Sequence, residues 1–437
     1  ALPISHLEEM DITVHEGYHT DHLELAPDLV IVGNACRPTH PEATYARENG
    51  LVQQSFPEAL GHFFIRDRRS LVVAGTHGKT TTTALLTHLF RAAGRDPGYL
   101  MGGVPQDELS NYALGTGDRF IVEGDEYDSA YFDKQPKFMH YRPTSAIVTS
   151  MELDHVDLYR DWDEYREAFE MLAGEIPERG LLVLHGDNPT VRALGAKTEG
   201  RTYTYGLTPH QNDVAATDVV TTKKGQQFSL QVDGRPVSDL RIPMFGRHNL
   251  LNALAATAVA LDEGLSVDQV QEGLATFPGV KRRHQLLAEI DGIKVVDDFA
   301  HHPTAVRSTI EASRQRWEDQ RIVAVFQPRS NSSRRKIFES RYANALSYAD
   351  RVFLSVPPFR HNDHPDRFLD ADRLIDMLGQ SDTTATAYET VDEMLPPLLE
   401  EIRPNDVVLL MSNGGFDNIH ERLIEALRAG HSSSTAS

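Results

Sequence analysis

A glycine-rich stretch of this 437-residue sequence has the residue types that hold nucleotide phosphates. The stretch consists of Gly75, Thr76, His77, Gly78, Lys79, Thr80 and Thr81. It follows the apolar run 71–74 and precedes apolar residues at helical spacing, so a strand, a loop and a helix are predicted in that order. In such a loop, backbone N–H groups surround the phosphates, Lys79 lies against the β and γ phosphates, and the Thr80 hydroxyl is a ligand of Mg²⁺.

The loop departs from the general phosphate-binding pattern at one position. Val73 stands where that pattern has its first glycine, and Gly75 comes two residues later. The shorter form Gly-Thr-x-Gly-Lys-Thr is a known variant of the motif. A plain glycine turn before a helix is the alternative, and the strand-loop-helix context favours a phosphate site.

Acidic residues follow two further apolar runs of the predicted sheet. Glu123 and Asp125 come after the run 120–122, and His155 comes shortly after the run 146–149. Because ligands bind at the carboxyl ends of the strands in open α/β sheets, these side chains are expected beside the glycine loop. Carboxylate oxygens there suit a Mg²⁺ that bridges phosphates. A solvated acidic turn and a structural histidine are the alternatives.

Two asparagines have helical spacing in an alanine-rich segment. Asn249 and Asn252 are three residues apart, so both amides lie on one face of the predicted helix. An amide can donate a hydrogen bond to the edge of an adenine and accept one from it. Asn249 could instead be the N-cap of the helix.

The last third of the chain offers two polar segments. Asp298 and His301 follow the predicted strand 294–296, and we expect them to position ATP, since no cysteine and no HExxH spacing supports the alternative of a zinc site. Arg329 begins a polar loop after the run 322–326, and its guanidinium could bind a carboxylate through two parallel N–H groups. A solvated basic loop is the alternative.

The length and the pattern of elements predict an α/β protein of several domains. Domains of about 150 residues suggest about three in this chain. We predict a Rossmann-like N-terminal remnant, a central P-loop-type ATPase domain with a mostly parallel sheet, and a C-terminal Rossmann-like α/β domain. The expected boundaries are 1–70, 71–280 and 281–430, and the polar residues 431–437 are expected to be disordered.

Charge and composition exclude several classes of protein. The formal net charge of −21 repels nucleic acid and anionic membrane surfaces. No apolar stretch approaches the roughly 18 residues that span a bilayer, and the single cysteine, Cys36, cannot form an internal disulfide. We therefore expect a cytoplasmic enzyme that binds neither nucleic acid nor membranes.

In combination, these motifs resemble those of the Mur ligases, which join amino acids or peptides to UDP-N-acetylmuramic acid. The similar segments are, in order, 75–81, 123–128, 154–155, 246–252, 297–304 and the loop that begins at Arg329. The resemblance implies ATP and Mg²⁺ as cofactors and an acyl phosphate as intermediate. The glycine-rich strand and turn with which the family binds the uridine diphosphate does not occur in this sequence, so further residues are expected before Ala1.

The resemblance also implies roles for individual residues. The residues expected to bind ATP are Gly75, Thr76, His77, Gly78, Lys79, Thr80, Thr81, Asn249, Asn252, Arg283 and Asp298. The expected metal ligands are Thr80, Glu123 and His155. The expected catalytic residues are Lys79, Glu123, His155, Asp298 and His301. The residues expected to contact the substrates are Asn34, Asp125, Tyr127, Arg329, Ser330 and Asn331.

Within the family, three segments favour one kind of acceptor. Segments 125–134, 328–331 and 411–416 are similar to those of members that attach the murein tripeptide L-alanyl-γ-D-glutamyl-meso-diaminopimelate to UDP-N-acetylmuramate in peptidoglycan recycling. The implied partners are these two small molecules, and a monomer or weak homodimer is expected. Ligation of free L-alanine is the nearest alternative. A regulatory P-loop NTPase is more distant, because it leaves the segments of Asp298 and Arg329 unexplained.

Overall fold

The computed structural model describes residues 7–8, 10–25, 27–154, 158–359 and 364–434. These residues form two compact units. The first unit takes its residues from Ala1–Met151, Trp162–Val214 and Ala255–Gly273, and the second takes them from Glu152–Asp161, Ala215–Leu254 and Leu274–Ser437. The division into domains near residues 70 and 280 remains a prediction, although separate sheets do form on either side of each position.

The first unit contains a small parallel sheet and a larger, mostly parallel one. The small sheet consists of β1 (Val30–Val32) and β2 (Gln53–Ser55). The larger sheet contains β3 (Arg69–Ala74), β4 (Gly98–Leu100), β5 (Tyr112–Ala113), β6 (Arg119–Glu123), β7 (Ser145–Val148), β8 (Leu181–His185) and β9 (Arg201–Gly206). The helices of this unit include α1 (Pro41–Glu48), α2 (Phe56–Leu60), α3 (Lys79–Ala92), α4 (Trp162–Gly174) and α5 (Pro189–Arg192).

Strand order in the larger sheet brings three loops to one edge. The order is β9-β8-β7-β3-β6-β4-β5, and β3 pairs in parallel with both β6 and β7. Residues 71–74, 120–122 and 145–148 are buried, as expected for strands covered on both faces. The carboxyl ends of β3, β6 and β7 therefore lie side by side, which is the usual ligand-binding edge of such a sheet.

A buried glutamate joins the opposite ends of β3 and β6. Arg69 and Arg119 begin these strands and are direct neighbours in the pairing, so two like charges meet there. The Glu263 carboxylate accepts hydrogen bonds from Arg69 Nε at 3.0 Å and from Arg119 Nε at 2.8 Å. One carboxylate thus neutralises both guanidinium groups and stabilises the register of the two strands.

The middle of the chain forms an antiparallel segment followed by two helices. The strands are β10 (Val214–Thr222), β11 (Gly225–Val232) and β12 (Arg235–Ile242), and β11 and β12 pair antiparallel. The helices are α6 (Arg247–Asp262) and α7 (Val267–Thr276), and both contain residues of the two units. The sequence predicts a hairpin between residues 217 and 236, and β12 extends that pattern by one strand.

The second unit contains a further α/β sheet. Its strands are β13 (Gln285–Ile290), β14 (Ile293–Asp298), β15 (Ile322–Phe326), β16 (Arg351–Ser355), β17 (Thr384–Tyr388) and β18 (Val407–Met411). Their order is β13-β14-β18-β15-β16-β17, with β13 antiparallel to β14 and the other pairs parallel. The helices that lie wholly between residues 274 and 437 are α8 (Pro303–Arg316), α9 (Glu339–Leu346), α10 (Ala371–Gly379), α11 (Val391–Glu401) and α12 (Ile419–Ser434). Buried apolar side chains form two clusters against this sheet.

The C-terminal residues differ in part from the sequence-based expectation. Helix α12 ends at Ser434, so it extends into the segment 431–437, for which the sequence predicts disorder. A helix that has already formed extends by one hydrogen bond per added residue, which explains how it continues past its last apolar positions. Residues 435–437 lie outside the described residues. Among the helices that the structure describes, none has the length and apolar character needed to cross a membrane.

Candidate active site

The glycine loop lies between β3 and α3 and packs against the end of β7. The N–H of Thr76 donates to the carbonyl of Ser150 at 3.0 Å, and the N–H of His77 donates to Ser150 Oγ at 2.9 Å. Gly75 and Gly78 have positive φ angles of 127° and 82°. Glycine is required at such positions because it carries no Cβ that would strain the backbone. These contacts give the loop a defined conformation before the first turn of α3.

Gly75 is expected to tolerate no larger side chain. A Cβ atom there would overlap Thr149 Oγ1 and lie 2.9 Å from the backbone nitrogens of Thr149 and Ser150. We expect Gly75→Ala to lower the free energy of unfolding by at least about 2 kcal/mol and to weaken ATP binding. Gly94→Ala is the control, because Gly94 also has a positive φ, 72°, but has open space around its Cα. Equal losses in both variants, measured by chemical denaturation, would contradict this account.

Lys79, the first residue of α3, is held by a carbonyl and a carboxylate. Its Nζ donates to Gly75 O at 2.7 Å and to Glu126 Oε2 at 3.0 Å. Burial by itself lowers the pKa of Lys79, but the charges of Glu126 and Asp125 outweigh burial, and the net pKa is raised. The ammonium therefore stays charged at neutral pH. It is positioned at the start of the helix, where phosphates bind.

Thr80, in the first turn of α3, contacts Glu123 at the end of β6. Thr80 Oγ1 donates to Glu123 Oε1 at 2.9 Å, and the N–H of Gly102 donates to Glu123 Oε2 at 2.6 Å. A hydroxyl and a carboxylate in contact are hard oxygen donors of the kind that Mg²⁺ prefers. The structure thus brings together two of the three predicted metal ligands. His155, the third, lies outside the described residues, and its role stays a prediction.

Lys137 holds the acidic segment after β6 through contacts with two of its side chains. Lys137 Nζ donates to Asp125 Oδ2 at 2.9 Å and lies 4.5 Å from the centroid of the Tyr127 ring. Burial raises the pKa of Asp125, but Lys137 and Lys79 outweigh it, and the net pKa is lowered. Burial and the Asp125 charge raise the pKa of the Tyr127 hydroxyl. Asp125 therefore stays ionised and Tyr127 stays neutral at pH 7.

Glu126 is also linked to the glycine loop through a tyrosine of α4. Tyr165 OH donates to Glu126 Oε1 at 3.2 Å and lies 2.7 Å from Thr76 Oγ1. Both Tyr165 and Glu126 are buried. The carboxylate that neutralises Lys79 is thus itself oriented by a packed side chain, which limits its movement.

This arrangement fits a nucleoside triphosphate with a divalent cation. Helix α3 begins directly after Gly78, which has no side chain to cap the helix, so the N–H groups of the first turn can bind an anion. Lys79 supplies a positive charge at the same point. Thr80 and Glu123 supply the oxygens for a cation beside it. The residue types and their geometry are those that phosphoryl transfer requires.

In the second unit, Asp298 organises the loop that follows β14. Its carboxylate accepts hydrogen bonds from the N–H of His284 and the N–H of Ala300, each at 2.7 Å. Burial raises the pKa of Asp298 and outweighs the opposing effect of Arg283. His301, the other predicted catalytic residue of this loop, is half-buried, and its Nδ1 lies 3.0 Å from Phe299 O. The two predicted residues thus belong to one ordered turn.

Arg283 and the start of β13 border the same turn. The Arg283 guanidinium lies 4.7 Å from the centroid of the Phe299 ring. His284 follows it, and its Nε2 lies 2.8 Å from Ser313 Oγ on α8. Burial, aided by the positive charge of Arg316, lowers the pKa of His284 to about 3. His284 is therefore neutral in the folded protein at any pH above about 4.

Because the pKa of His284 is low, the folded protein becomes less stable as the pH decreases. The unfolded chain binds a proton here at about pH 6.5, whereas the folded chain does so near pH 3, so acid favours the unfolded chain between these values. We expect a loss of at most about 1.4 kcal/mol per pH unit below pH 6, and His284→Gln should remove that loss. Denaturation at pH 7, 6 and 5 measures this. Parallel stability curves for the two proteins would contradict it.

Asn249 and Asn252 lie inside α6 rather than at its cap. Asn249 Nδ2 donates to Phe245 O at 2.8 Å, and Asn252 Nδ2 lies 3.4 Å from Asn249 Oδ1. Both side chains are buried. The N-cap alternative for Asn249 is excluded, because the helix begins two residues earlier at Arg247. The expected adenine contact remains a prediction.

The Arg329 loop and the glycine segment after β18 meet at one edge of the second sheet. The Arg329 side chain is exposed and packs against Gly414. Ser412 Oγ donates to Gln327 Oε1 at 2.7 Å, which ties the two loops together. Ser330 Oγ donates to Ser333 Oγ at 2.9 Å, and Asn331 Oδ1 accepts from Arg334 at 3.2 Å. The loop is therefore an ordered turn that presents the Arg329 guanidinium to solvent.

Asn34 lies apart from the larger sheet. It is exposed and follows β1, one of the two strands of the small sheet. A cavity of about 580 Å³ borders this segment, and its lining includes Gly33, Cys36 and His40 but not Asn34. The structure therefore does not bring Asn34 together with Lys79 on one sheet edge, and its predicted substrate contact remains a prediction.

Several residues of the site were not predicted from the sequence. Glu126 lies within the predicted acidic segment 123–128, but nothing in the sequence indicates that it pairs with Lys79. Lys137 is 12 residues beyond Asp125, and Tyr165 is on a separate helix. Ser150 could have been predicted, because it immediately follows the apolar run 146–149, which is expected beside the loop. The remaining partners depend on tertiary packing.

Three family models match consecutive parts of the chain. Residues 2–68 match the Mur ligase family catalytic domain, residues 73–260 match the Mur ligase middle domain, and residues 282–414 match the Mur ligase glutamate ligase domain. The UDP-N-acetylmuramate–L-alanyl-γ-D-glutamyl-meso-2,6-diaminoheptandioate ligase of Escherichia coli is 34% identical over 428 residues, which cover 96% of this chain and 89% of that protein. The UDP-N-acetylmuramate–L-alanine ligase of Chlorobaculum tepidum is 33% identical, with coverages of 96% and 87%.

The solved structures that resemble this chain include further Mur ligases. The murein peptide ligase of Psychrobacter arcticus superposes with a TM-score of 0.70 at 32% identity, covering 97% of this chain and 90% of that one. The UDP-N-acetylmuramate–alanine ligase of Thermotoga maritima gives a TM-score of 0.79 at 26% identity, covering 98% and 91%. Proteins named as ligases of the tripeptide thus occur among both the curated relatives and the solved structures, at 34% and 32% identity.

Proposed function

Because this chain belongs to the Mur ligase family, we propose that it joins L-alanyl-γ-D-glutamyl-meso-diaminopimelate to UDP-N-acetylmuramate in the cytoplasm at the expense of ATP. The observation that carries this proposal is the cluster at the ends of β3 and β6, where Lys79 and Thr80 meet the carboxylates of Glu126 and Glu123. Such a cluster is suited to moving a phosphoryl group from ATP to a carboxylate.

Amide formation requires activation, because a carboxylate is inert toward amines at neutral pH. In the proposed reaction, the carboxylate oxygen of the muramyl group attacks the γ-phosphorus of ATP, ADP leaves, and an acyl phosphate results. Negative charge spreads over the phosphoryl oxygens in that step, and the Lys79 ammonium is held where it can stabilise them. Thr80 and Glu123 would hold the Mg²⁺, which neutralises phosphate charge and orients the chain of phosphates.

The second step is attack by the α-amine of the tripeptide's L-alanine on the acyl carbonyl, with release of inorganic phosphate. The attacking amine must first be neutral, so a base has to accept its proton. Asp298 is a candidate, because burial raises its pKa and makes its carboxylate a better proton acceptor. His301 on the same turn is a second candidate.

Acceptor choice is supported by the relatives named as tripeptide ligases and by local features of the chain. The segments 125–134, 328–331 and 411–416 are those in which the sequence is similar to the tripeptide-adding members. The Arg329 guanidinium is exposed on an ordered turn, as binding of a peptide carboxylate requires. The L-alanine ligase remains the second candidate because the Thermotoga maritima structure has the higher TM-score.

One assay distinguishes these candidates. The chain is incubated with UDP-N-acetylmuramate, ATP and MgCl₂, and with either the tripeptide or free L-alanine, and the products are identified by mass spectrometry. We expect a tripeptide adduct and ADP in equal amounts. An L-alanine adduct without the tripeptide adduct would support the second candidate. ADP formation without either adduct would contradict the ligase proposal.

A further inference from the structure

A second cavity opens on the second unit, a few residues beyond the Arg329 loop. It has a volume of about 460 Å³ and is lined by Arg335, Lys336, Ile337, Asp366 and Arg367. Small-molecule sites have volumes of about 300 to 1,000 Å³, so the cavity could hold one end of a peptide. Its residues have no role in the phosphoryl-transfer chemistry described above.

The walls of the cavity are tied to the Arg329 loop by backbone hydrogen bonds. Within the turn that follows Arg329, the N–H of Arg334 donates to Ser330 O at 3.3 Å. Arg335 then forms an antiparallel bridge with Phe368, and the N–H of Leu369 donates to Arg334 O at 2.8 Å. The two segments that line the cavity are thus held together, and they continue directly from the loop expected to meet the acceptor.

The positive side chains of the cavity have no partner within the part of the chain that the structure describes. Arg335, Lys336 and Arg367 make no side-chain hydrogen bond or ion pair there. Elsewhere in the same unit, arginines pair with carboxylates, as Arg314 does with Asp350 and Arg351 with Glu401. The chain has 64 acidic and 43 basic residues, so three unpaired cations around one cavity indicate an anionic ligand.

The cavity also offers one negative and one apolar side chain. Asp366 contributes a carboxylate, and Ile337 is 63% exposed. A fitting ligand therefore has several carboxylates, one ammonium group and an aliphatic part. A phosphate or a nucleotide lacks the ammonium group, and Asp366 would repel it.

We propose that this cavity binds the diaminopimelate end of the acceptor peptide, an inference that rests on the proposed function. Apart from its reacting amine, the tripeptide carries three carboxylates and one ammonium group on the last side chain. Two of these carboxylates belong to diaminopimelate and would lie among Arg335, Lys336 and Arg367, and Asp366 would meet the ammonium group. The third carboxylate, on D-glutamate, is left for Arg329. The aliphatic carbons of diaminopimelate would pack on Ile337. The charges of the cavity thus complement those of the peptide end.

This assignment makes the cavity a determinant of acceptor specificity. L-lysine is diaminopimelate without the terminal carboxylate, and it keeps the terminal ammonium group. A peptide that ends in L-lysine would satisfy Asp366 but leave a cation without its partner. The chain should therefore prefer the diaminopimelate peptide, and the preference should depend on the cavity's cations.

The test compares two tripeptides in the full chain. Arg335→Ala together with Lys336→Ala removes two cations of the cavity, and Lys223→Ala together with Lys224→Ala removes two exposed cations from the turn before β11. For the diaminopimelate tripeptide, we expect the first variant to lower kcat/KM about tenfold, mainly through KM. For the L-lysine tripeptide, which keeps one of the two diaminopimelate carboxylates, we expect a smaller loss of about threefold. The control variant should change neither value by more than about twofold.

Two results would overturn the assignment. An equal loss for both peptides would show a general effect of charge or folding, and the charge-preserving pair Arg335→Lys and Lys336→Arg identifies folding if it too loses activity. Unchanged kinetics with the diaminopimelate tripeptide would show that it binds elsewhere, while leaving the proposed function intact. If the unsubstituted chain adds L-alanine and neither tripeptide, the proposed function fails and this assignment fails with it.

Discussion

Lys79→Ala is expected to lower ATP-dependent ligation at least about 1,000-fold. The ammonium stands at the start of α3, where it would stabilise the charge that develops on the transferred phosphoryl group. Removing it also leaves the buried Glu126 carboxylate without its cation, which costs about 3 to 5 kcal/mol of stability. The loss of ligation is measured as formation of ADP in a coupled assay and of the peptide adduct by mass spectrometry. The loss of stability is measured by chemical denaturation.

A double variant separates these two effects. Lys79→Met with Glu126→Gln removes both charges of the buried pair, so it should regain most of the lost stability and none of the activity. Lys197→Ala is the matched control, because its ion pair with Glu170 is half exposed and contributes little. Recovery of ligation in the double variant would mean that Lys79 serves folding rather than phosphate binding.

Glu123→Gln is expected to lower activity about 100- to 1,000-fold and to raise the Mg²⁺ concentration needed for half-maximal rate. The Glu123 carboxylate accepts from both Thr80 Oγ1 and the N–H of Gly102. The glutamine amide has one oxygen, so its NH₂ group must face one of these donors or turn away. A neutral side chain also attracts a divalent cation less strongly. Initial rates over a Mg²⁺ titration measure both changes.

The control for this experiment is Glu178→Gln, since Glu178 is an exposed glutamate of the first unit. It changes the net charge by the same amount and should leave the Mg²⁺ dependence unchanged. A Glu123→Gln protein with reduced rate but unaltered Mg²⁺ dependence would argue against Glu123 as a metal ligand. In that event, its role would be to fix Thr80 and the backbone at Gly102.

The position of the site could be predicted because it depends on strand order and on local motifs. Apolar runs predict β3, β6 and β7, and a parallel sheet places the residues that follow each strand at a common edge. Lys79 and Thr80 belong to a loop whose glycines are needed by its backbone angles. Each of these features is encoded within a few consecutive residues, so it can be recognised without knowledge of the tertiary structure.

The partners of the site residues could not be predicted in the same way. Lys79 pairs with Glu126 rather than with Glu123 or Asp125, and this choice depends on how the chain turns after β6. Tyr165 reaches Glu126 from a helix 39 residues away. Among the described residues Lys336 has no side-chain partner, and this too depends on its surroundings, because the sequence does not distinguish a paired lysine from an unpaired one. Hydrogen bonds between distant segments require the packed structure.

Glu263 determines how far the chain can be shortened. A fragment ending at residue 214 would keep Lys79, Thr80, Glu123 and Glu126 and all strands from β3 to β9, yet it would lack this carboxylate. Arg69 and Arg119 would then repel each other at the base of the two strands that carry Lys79 and Glu123. Anyone who transplants this sheet into another protein must therefore include residues 255–263, although β10, β11 and β12 precede them in the chain.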